Sequence, residues 1–193
     1  RYASHRASYV IGRQSSEPIY TQDWRLLGKK LSDLKLYLIR HAKAMASSSG
    51  DFERELSEKG KNQCIELRNF IASKIITSKH KVHCSAAYRT KGTYALIFNR
   101  SEKVNFHKML YLASANELLA FICSLESKED IFLVGHNYGL SDLASYLTSK
   151  SVGMKTSACI EIDFPFQDSK FISKGTGEIN SYHRCDIGDF DYL

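Results

Sequence analysis

The chain has 193 residues, of which 43% are hydrophobic and 25% charged, and its formal net charge is +6. This composition is typical of a globular protein and excludes collagen-like, low-complexity and strongly disordered chains. The longest apolar runs, such as residues 131–134, are far shorter than the roughly 20 residues of a transmembrane helix, so we expect no membrane partner. The five cysteines are widely spaced and no signal-peptide pattern opens the sequence, which together favour a cytoplasmic protein.

Residues 1–33 differ in composition from the rest of the chain. They carry six basic and three acidic residues and show no sustained apolar period. We therefore expect a basic, mobile N-terminal extension at 1–33 and one folded domain at 34–193. Because no basic stripe with interleaved aromatic residues follows, we expect no nucleic-acid partner.

Patterns of strands and helices alternate from residue 34 onward. Apolar, β-branched runs predict strands at 35–39, 82–85, 104–106, 130–134, 158–164 and 178–183. Helical periods or caps predict helices after Ser57, over 88–98, after the Ser114 capping box and after Asn137. This alternation predicts an α/β fold, a three-layer αβα sandwich with a mostly parallel sheet. We expect the last two strands to pair antiparallel, since a short glycine-containing loop joins them.

Cationic and imidazole side chains follow three of the predicted strands. Arg40 and His41 end the first strand, Arg89 follows the second, and His136 follows the fourth. Ligands of open α/β sheets bind outside the carboxyl ends of the strands, so these groups are expected to converge there. Arginine binds phosphate oxygens bidentately, and a neutral imidazole nitrogen is able to attack phosphorus. The set therefore indicates a site for a phosphoryl group.

Five segments in this order resemble the histidine phosphatase superfamily, and its SixA-type members in particular. They are LIRHAKA at 38–44, DFERELSEKG at 51–60, CSAAYRTKGT at 84–93, LYLAS at 110–114 and LVGHN at 133–137. The resemblance covers about residues 34–164, and Glu55 and Ala86 stand where the family has proline. It implies a phosphoglycerate mutase-like fold. Only residues 90–135 separate Arg89 from His136, which leaves no room for a large cap insertion.

The resemblance also implies roles for individual residues. His41 would be the nucleophile, Arg40 and Arg89 would clamp the phosphoryl oxygens, and His136 would give the same group a hydrogen bond or a positive charge. Ser85, in the same segment as Arg89, would contact the substrate.

Two further substrate-binding residues are implied by the same segments. Asn137 follows His136 in the family pattern, and Arg54 matches an arginine at the mouth of the site. For Arg54 the alternative is a solvated ion pair with Glu53 or Glu55 beside it.

The proton donor is the weakest part of the pattern. Many relatives that cleave phosphate esters have a glutamate where this sequence has Met109, and the candidates left here are Asp51 and Glu53. An alkoxide leaving group needs a proton, whereas neutral imidazole is a far better leaving group. We therefore expect a phosphatase acting on protein phosphohistidine through a covalent intermediate on His41.

The expected partners are a phosphohistidine-bearing protein and phosphate, and we expect a monomer. The remaining histidines match no metal-binding spacing, so we expect no cofactor and no metal. Two alternatives stay open: a phosphomonoesterase for small phosphorylated metabolites, and a catalytically weak module that binds phosphohistidine or anions.

Overall fold

The computed structural model describes residues 34–46, 50–75, 79–98 and 103–185. The predicted extension at 1–33 lies outside the described residues, as do parts of the predicted domain, including residues 186–193.

Six strands form one mixed sheet in the order β3-β2-β4-β1-β5-β6. The strands are β1 (Leu34–Arg40), β2 (His80–Ser85), β3 (Val104–His107), β4 (Asp130–Gly135), β5 (Cys159–Phe164) and β6 (Glu178–His183). The helices are α1 (Glu58–Ile75), α2 (Tyr88–Ile97), α3 (Ala115–Ser124) and α4 (Gly139–Thr148), with short 3-10 turns at Lys108–Leu110 and Ser169–Phe171. None of the helices in the described residues is both long and apolar enough to cross a bilayer.

The sheet is parallel through β3, β2, β4 and β1 and antiparallel at β5 and β6. The predicted antiparallel pairing of the last two strands is therefore confirmed. The reason given for it was wrong, because residues 165–177 and a 3-10 turn lie between the strands. This connection is fastened to the segment that follows α3. The backbone N–H of Ser169 donates to the carbonyl oxygen of Ser127, and the backbone N–H of Ser127 donates to the Ser169 hydroxyl, both at 2.9 Å.

Alternate residues of the central strands face opposite layers. Leu36 and Leu38 of β1 join the core cluster built with α3 and α4, whereas Tyr37 and Ile39 join the cluster built with α1 and α2. A strand covered on both faces must be apolar throughout, which explains the unbroken run at 36–39. The predicted three-layer αβα sandwich with a mostly parallel sheet is confirmed.

This topology brings the chemically active segments to one edge. Arg40 at the end of β1 pairs in register with Gly135 at the end of β4, and Ser85 at the end of β2 pairs with His107 of β3. The residues that follow these four strand ends therefore meet in one place. Gly139 allows the close approach there, because a Cβ at this position would lie 1.9 Å from the carbonyl oxygen of Ala113.

Candidate active site

His41 is held in one orientation and one protonation state. Its Nδ1 lies 2.8 Å from the carbonyl oxygen of Ala42. A carbonyl only accepts hydrogen bonds, so the proton is on Nδ1 and the lone pair is on Nε2. Burial, reinforced by the charges of Arg89 and Arg40, lowers the pKa of His41 to about 4. The ring is therefore a neutral imidazole, and Nε2 carries the lone pair that is able to attack phosphorus.

Arg89 directs its three nitrogens at partners close to this imidazole. Its Nε donates to Nε2 of His41 at 3.2 Å, one terminal nitrogen donates to the carbonyl oxygen of Asp51, and the other donates to Asp51 Oδ2 at 2.8 Å. The side chain is only 3% exposed, so its charge acts with little solvent screening. Its position in the first turn of α2, after the end of β2, is what brings it to the sheet edge.

His136 lies beside His41, with a ring-to-ring distance of 5.2 Å in an edge-on arrangement. Its Nε2 is 2.8 Å from the hydroxyl oxygen of Ser85, and its Nδ1 is buried with no hydrogen-bond partner in the described part of the chain. Burial, with the nearby His41 ring and the charge of Arg89, lowers the pKa of His136 to about 3. His136 is thus neutral at physiological pH, and Ser85 orients its ring.

Arg40 is fixed by the segment that precedes β5. One terminal nitrogen donates to the carbonyl oxygen of Met154 at 2.7 Å, while its Nε is buried without a partner among the described residues. Asn137 donates to the same Met154 carbonyl at 3.0 Å and accepts from the Ser141 hydroxyl at 3.0 Å. The Asn137 amide is therefore engaged with protein groups, and this geometry favours holding Arg40 in place over contacting a substrate.

Asp51 and Arg54 form an ion pair, with 3.0 Å between Arg54 and Asp51 Oδ1. Arg54 also donates to the carbonyl oxygen of Met45 at 2.7 Å, and its charge is among those that lower the pKa of His41. The structure thus brings Arg54 and Asp51 to the site. Glu53 is exposed on the same loop, and its carboxylate faces Gly50.

Tyr111 is the residue that the sequence analysis left without a role. Its hydroxyl donates to Asp51 Oδ2 at 2.6 Å, and its ring lies 5.4 Å from the His136 ring and 4.9 Å from that of Phe52. It also lies 5.7 Å from the Arg89 guanidinium. The LYLAS segment contained the signal, but only the fold shows that the turn after β3 reaches the same edge as His136.

Among the described residues, no group of three or more His, Cys, Asp or Glu side chains is arranged to hold a metal ion. The site consists of neutral imidazoles and guanidinium groups, with one carboxylate at its margin. Such an arrangement binds an oxyanion and presents a nitrogen nucleophile to it.

Solved structures similar to this one share the same architecture. A putative phosphohistidine phosphatase SixA from Nakamurella multipartitia has a TM-score of 0.72 and 17% identity, over 81% of this chain and 98% of that one. The putative SixA from Agrobacterium tumefaciens has a TM-score of 0.64 and 20% identity, over 78% and 97%. A phosphoserine phosphatase from Entamoeba histolytica in complex with 3-phosphoglyceric acid has a TM-score of 0.58 and 14% identity, over 79% and 98%. The chain has the histidine phosphatase fold.

No protein-family model matches the sequence, and no curated protein matches it either. The likeness is thus one of fold at low sequence identity, and it confirms the architecture that the motifs implied. At such low identity the comparisons bear on the fold alone. The chemistry of His41, Arg89 and His136 follows from the distances and hydrogen bonds between these residues and their neighbours.

Proposed function

We propose that this protein is a phosphatase that transfers a phosphoryl group to His41 Nε2 and then to water. The observation that carries the proposal is the fixed tautomer of His41. Its Nδ1–H is committed to the Ala42 carbonyl, and its Nε2 lone pair faces the buried guanidinium of Arg89. A nucleophile that is already deprotonated and oriented needs no separate base.

The proposed reaction has two steps. In the first, Nε2 gives up the hydrogen bond from Arg89 and forms a bond to phosphorus, while the bond between phosphorus and the leaving group breaks and its electron pair goes to the leaving group, which leaves a phosphorylated His41. In the second, water attacks phosphorus, the Nε2–P bond breaks with its electron pair returning to Nε2, and the water proton passes to a phosphoryl oxygen, so that orthophosphate leaves. The charges of Arg89 and Arg40 stabilise the phosphoryl oxygens in both steps, and His136 donates a hydrogen bond to them through Nδ1 when Ser85 donates to its Nε2.

The preferred substrate class in this proposal is protein phosphohistidine. The Asp51 carboxylate accepts hydrogen bonds from Tyr111, Arg54 and Arg89, and these interactions hold its pKa well below the usual range. Met109, at the position that is glutamate in many ester-cleaving relatives, is exposed. An ionised carboxylate at this position favours a leaving group that departs as neutral imidazole over one that departs as alkoxide.

The test is phosphate release from a phosphorylated histidine-containing phosphotransfer domain by the wild type and by His41→Ala. The wild type is expected to release phosphate and to carry an acid-labile label, and His41→Ala is expected to lose both while keeping its melting temperature. Turnover or labelling that persists in His41→Ala would rule out the covalent mechanism.

Small phosphate esters are the competing substrates, because a fold relative was solved with 3-phosphoglyceric acid bound. A panel of 3-phosphoglycerate, phosphoserine and the phosphorylated domain separates the two classes. A higher kcat/KM for either ester would replace phosphohistidine with a metabolite. A label on His41 that forms and is never released would indicate a binding module.

A further inference from the structure

Asp51 connects three elements of the site through its carboxylate. Oδ1 accepts from Arg54 at 3.0 Å, and Oδ2 accepts from Arg89 at 2.8 Å and from the Tyr111 hydroxyl at 2.6 Å. Its own backbone carbonyl accepts from the other terminal nitrogen of Arg89. The loop after β1, the start of α2 and the turn after β3 therefore meet at one residue.

These contacts determine which edge of Arg89 faces the nucleophile. Both terminal nitrogens of the guanidinium are bound by Asp51, so the plane of the group is fixed at two points. The remaining nitrogen, Nε, then points at Nε2 of His41. Because a guanidinium is planar and rigid, fixing two of its nitrogens fixes the direction of the third N–H.

The charge on Asp51 also balances a buried cation. Arg89 is 3% exposed, and an unpaired buried charge is strongly unfavourable. All three side-chain donors that reach the carboxylate need an acceptor there. Two of these donors, Arg54 and Arg89, are guanidinium cations, and their charges favour the ionised form of the carboxylate.

We propose that Asp51 is a positioning residue, which stays ionised through the reaction and aligns Arg89 with His41, and that it does not donate a proton to the leaving group. This inference rests on the proposed phosphatase function. The sequence offered Asp51 as a candidate proton donor, and the positioning role replaces that one. Tyr111 supports the same carboxylate by donating a hydrogen bond to Oδ2.

The decisive experiment compares Asp51→Asn with the wild type on aryl phosphates whose phenols differ in pKa. A positioning residue affects every substrate alike, so kcat/KM is expected to fall by about 10²-fold for each phenol, as for a small misplacement of a binding group. The dependence of rate on leaving-group pKa is expected to stay unchanged. A loss that grows with the pKa of the phenol would overturn the proposal and make Asp51 a proton donor. An unchanged kcat/KM would overturn it as well.

Two further variants are compared with Asp51→Asn. Tyr111→Phe removes one donor to the carboxylate and leaves the Arg89 contacts, so a smaller uniform loss is expected, about 10-fold or less by the worth of one hydrogen bond. Glu55→Gln neutralises an exposed carboxylate on the same loop and is expected to leave kcat/KM unchanged. A loss in Glu55→Gln equal to that in Asp51→Asn would show a general effect of loop charge and contradict the proposal.

A second readout does not depend on turnover. The buried Nε–H of Arg89 is expected to give a slowly exchanging nitrogen-15 resonance in the wild type, and this resonance is expected to shift and exchange faster in Asp51→Asn. An identical resonance in both proteins would show that Asp51 does not hold Arg89. If the wild type turned over no phosphate compound at all, the proposed function would fail while this measurement still tested the link between Asp51 and Arg89.

Discussion

The Nε–H of Arg89 donates a hydrogen bond to Nε2 of His41 over 3.2 Å, so a fixed cation meets the atom that would attack phosphorus. Burial keeps His41 neutral and this contact adds to it, since a cation next to an imidazole disfavours its protonation. It also marks where a transferred phosphoryl group would come within reach of both residues.

Replacing Arg89 with lysine is expected to reduce kcat by about 10²–10³-fold, the usual effect of losing an aligned donor to a developing charge. Lysine keeps the positive charge but is a single point donor, and it cannot contact His41, the Asp51 carbonyl oxygen and Asp51 Oδ2 in one plane. Steady-state turnover of an aryl phosphate measures the effect. Arg68→Lys, an exposed change on α1, serves as the control, and an Arg89→Lys enzyme as active as Arg68→Lys would show that the planar contact is unimportant.

The imidazoles of His41 and His136 are expected to stay neutral from pH 7.5 down to pH 5.5. Burial and neighbouring charges lower their pKa values to about 4 and about 3, whereas the same groups in the urea-unfolded chain titrate near the ordinary value for histidine. NMR titration of the ring protons in folded and unfolded protein measures both. A folded-state midpoint near 6.5 for either ring would contradict this.

The lowered pKa values of His41 and His136 also determine whether the protein becomes more or less stable as the pH falls. Between pH 6.5 and the folded-state values the unfolded chain binds more protons, so the free energy of unfolding is expected to fall as the pH falls through this window. The slope from each imidazole is no more than about 1.4 kcal/mol per pH unit. Denaturant titrations at pH 7 and pH 5 measure it, and greater stability at pH 5 would oppose the prediction.

Glu161 is expected to stabilise the sheet without affecting catalysis. Its carboxylate is buried on β5 and binds Lys35 at 2.8 Å and Lys74 at 2.7 Å. Burial raises its pKa, but hydrogen bonds from Lys35, Lys74 and Ser181 outweigh burial and lower it to about 2. Glu161→Gln is expected to lower the free energy of unfolding by about 1–3 kcal/mol at pH 7, less than for a fully buried pair because both lysines are partly exposed.

The difference between Glu161→Gln and wild type is expected to depend on pH. A carboxyl with a lowered folded-state pKa contributes stability above its unfolded value, and this is lost as the pH falls from about 4.5 towards 2. Denaturant titrations across this range follow the loss. The exposed Glu178→Gln on β6 is the matched control, and equal stabilities for the two variants at pH 7 would refute the assignment.

Gly139 is expected to be irreplaceable at the start of α4. A Cβ there would lie 1.9 Å from the backbone oxygen of Ala113, so Gly139→Ala must separate α4 from the segment that follows Tyr111. We expect a loss of about 1–3 kcal/mol in unfolding free energy, as for overpacking, together with lower activity because His136 precedes this helix. Thermal denaturation is the measurement. Gly153→Ala, where no atom lies within 4 Å of the added methyl, is expected to be neutral, and equal melting temperatures for the two would contradict the packing argument.

The sequence by itself determined the order and type of the elements. A β-branched and aromatic apolar run such as residues 36–39 is typical of a strand covered on both faces, and Ser114 with Glu117 forms the predicted capping box. Strand and helix alternation then implied the parallel sheet, and the sheet implied that Arg40, Arg89 and His136 would follow neighbouring strand ends. These features depend on local pattern and on topology, which a single sequence contains.

Only the tertiary structure decided how the side chains at that edge are used. It fixed the tautomer of His41 through the Ala42 carbonyl and turned the Asn137 amide towards Met154. It also joined Asp51 to Arg89 and Tyr111, residues 38 and 60 positions away along the chain. Such contacts require donor–acceptor distances held to within a few tenths of an ångström and well-directed hydrogen bonds between remote segments. No periodicity in the sequence encodes them.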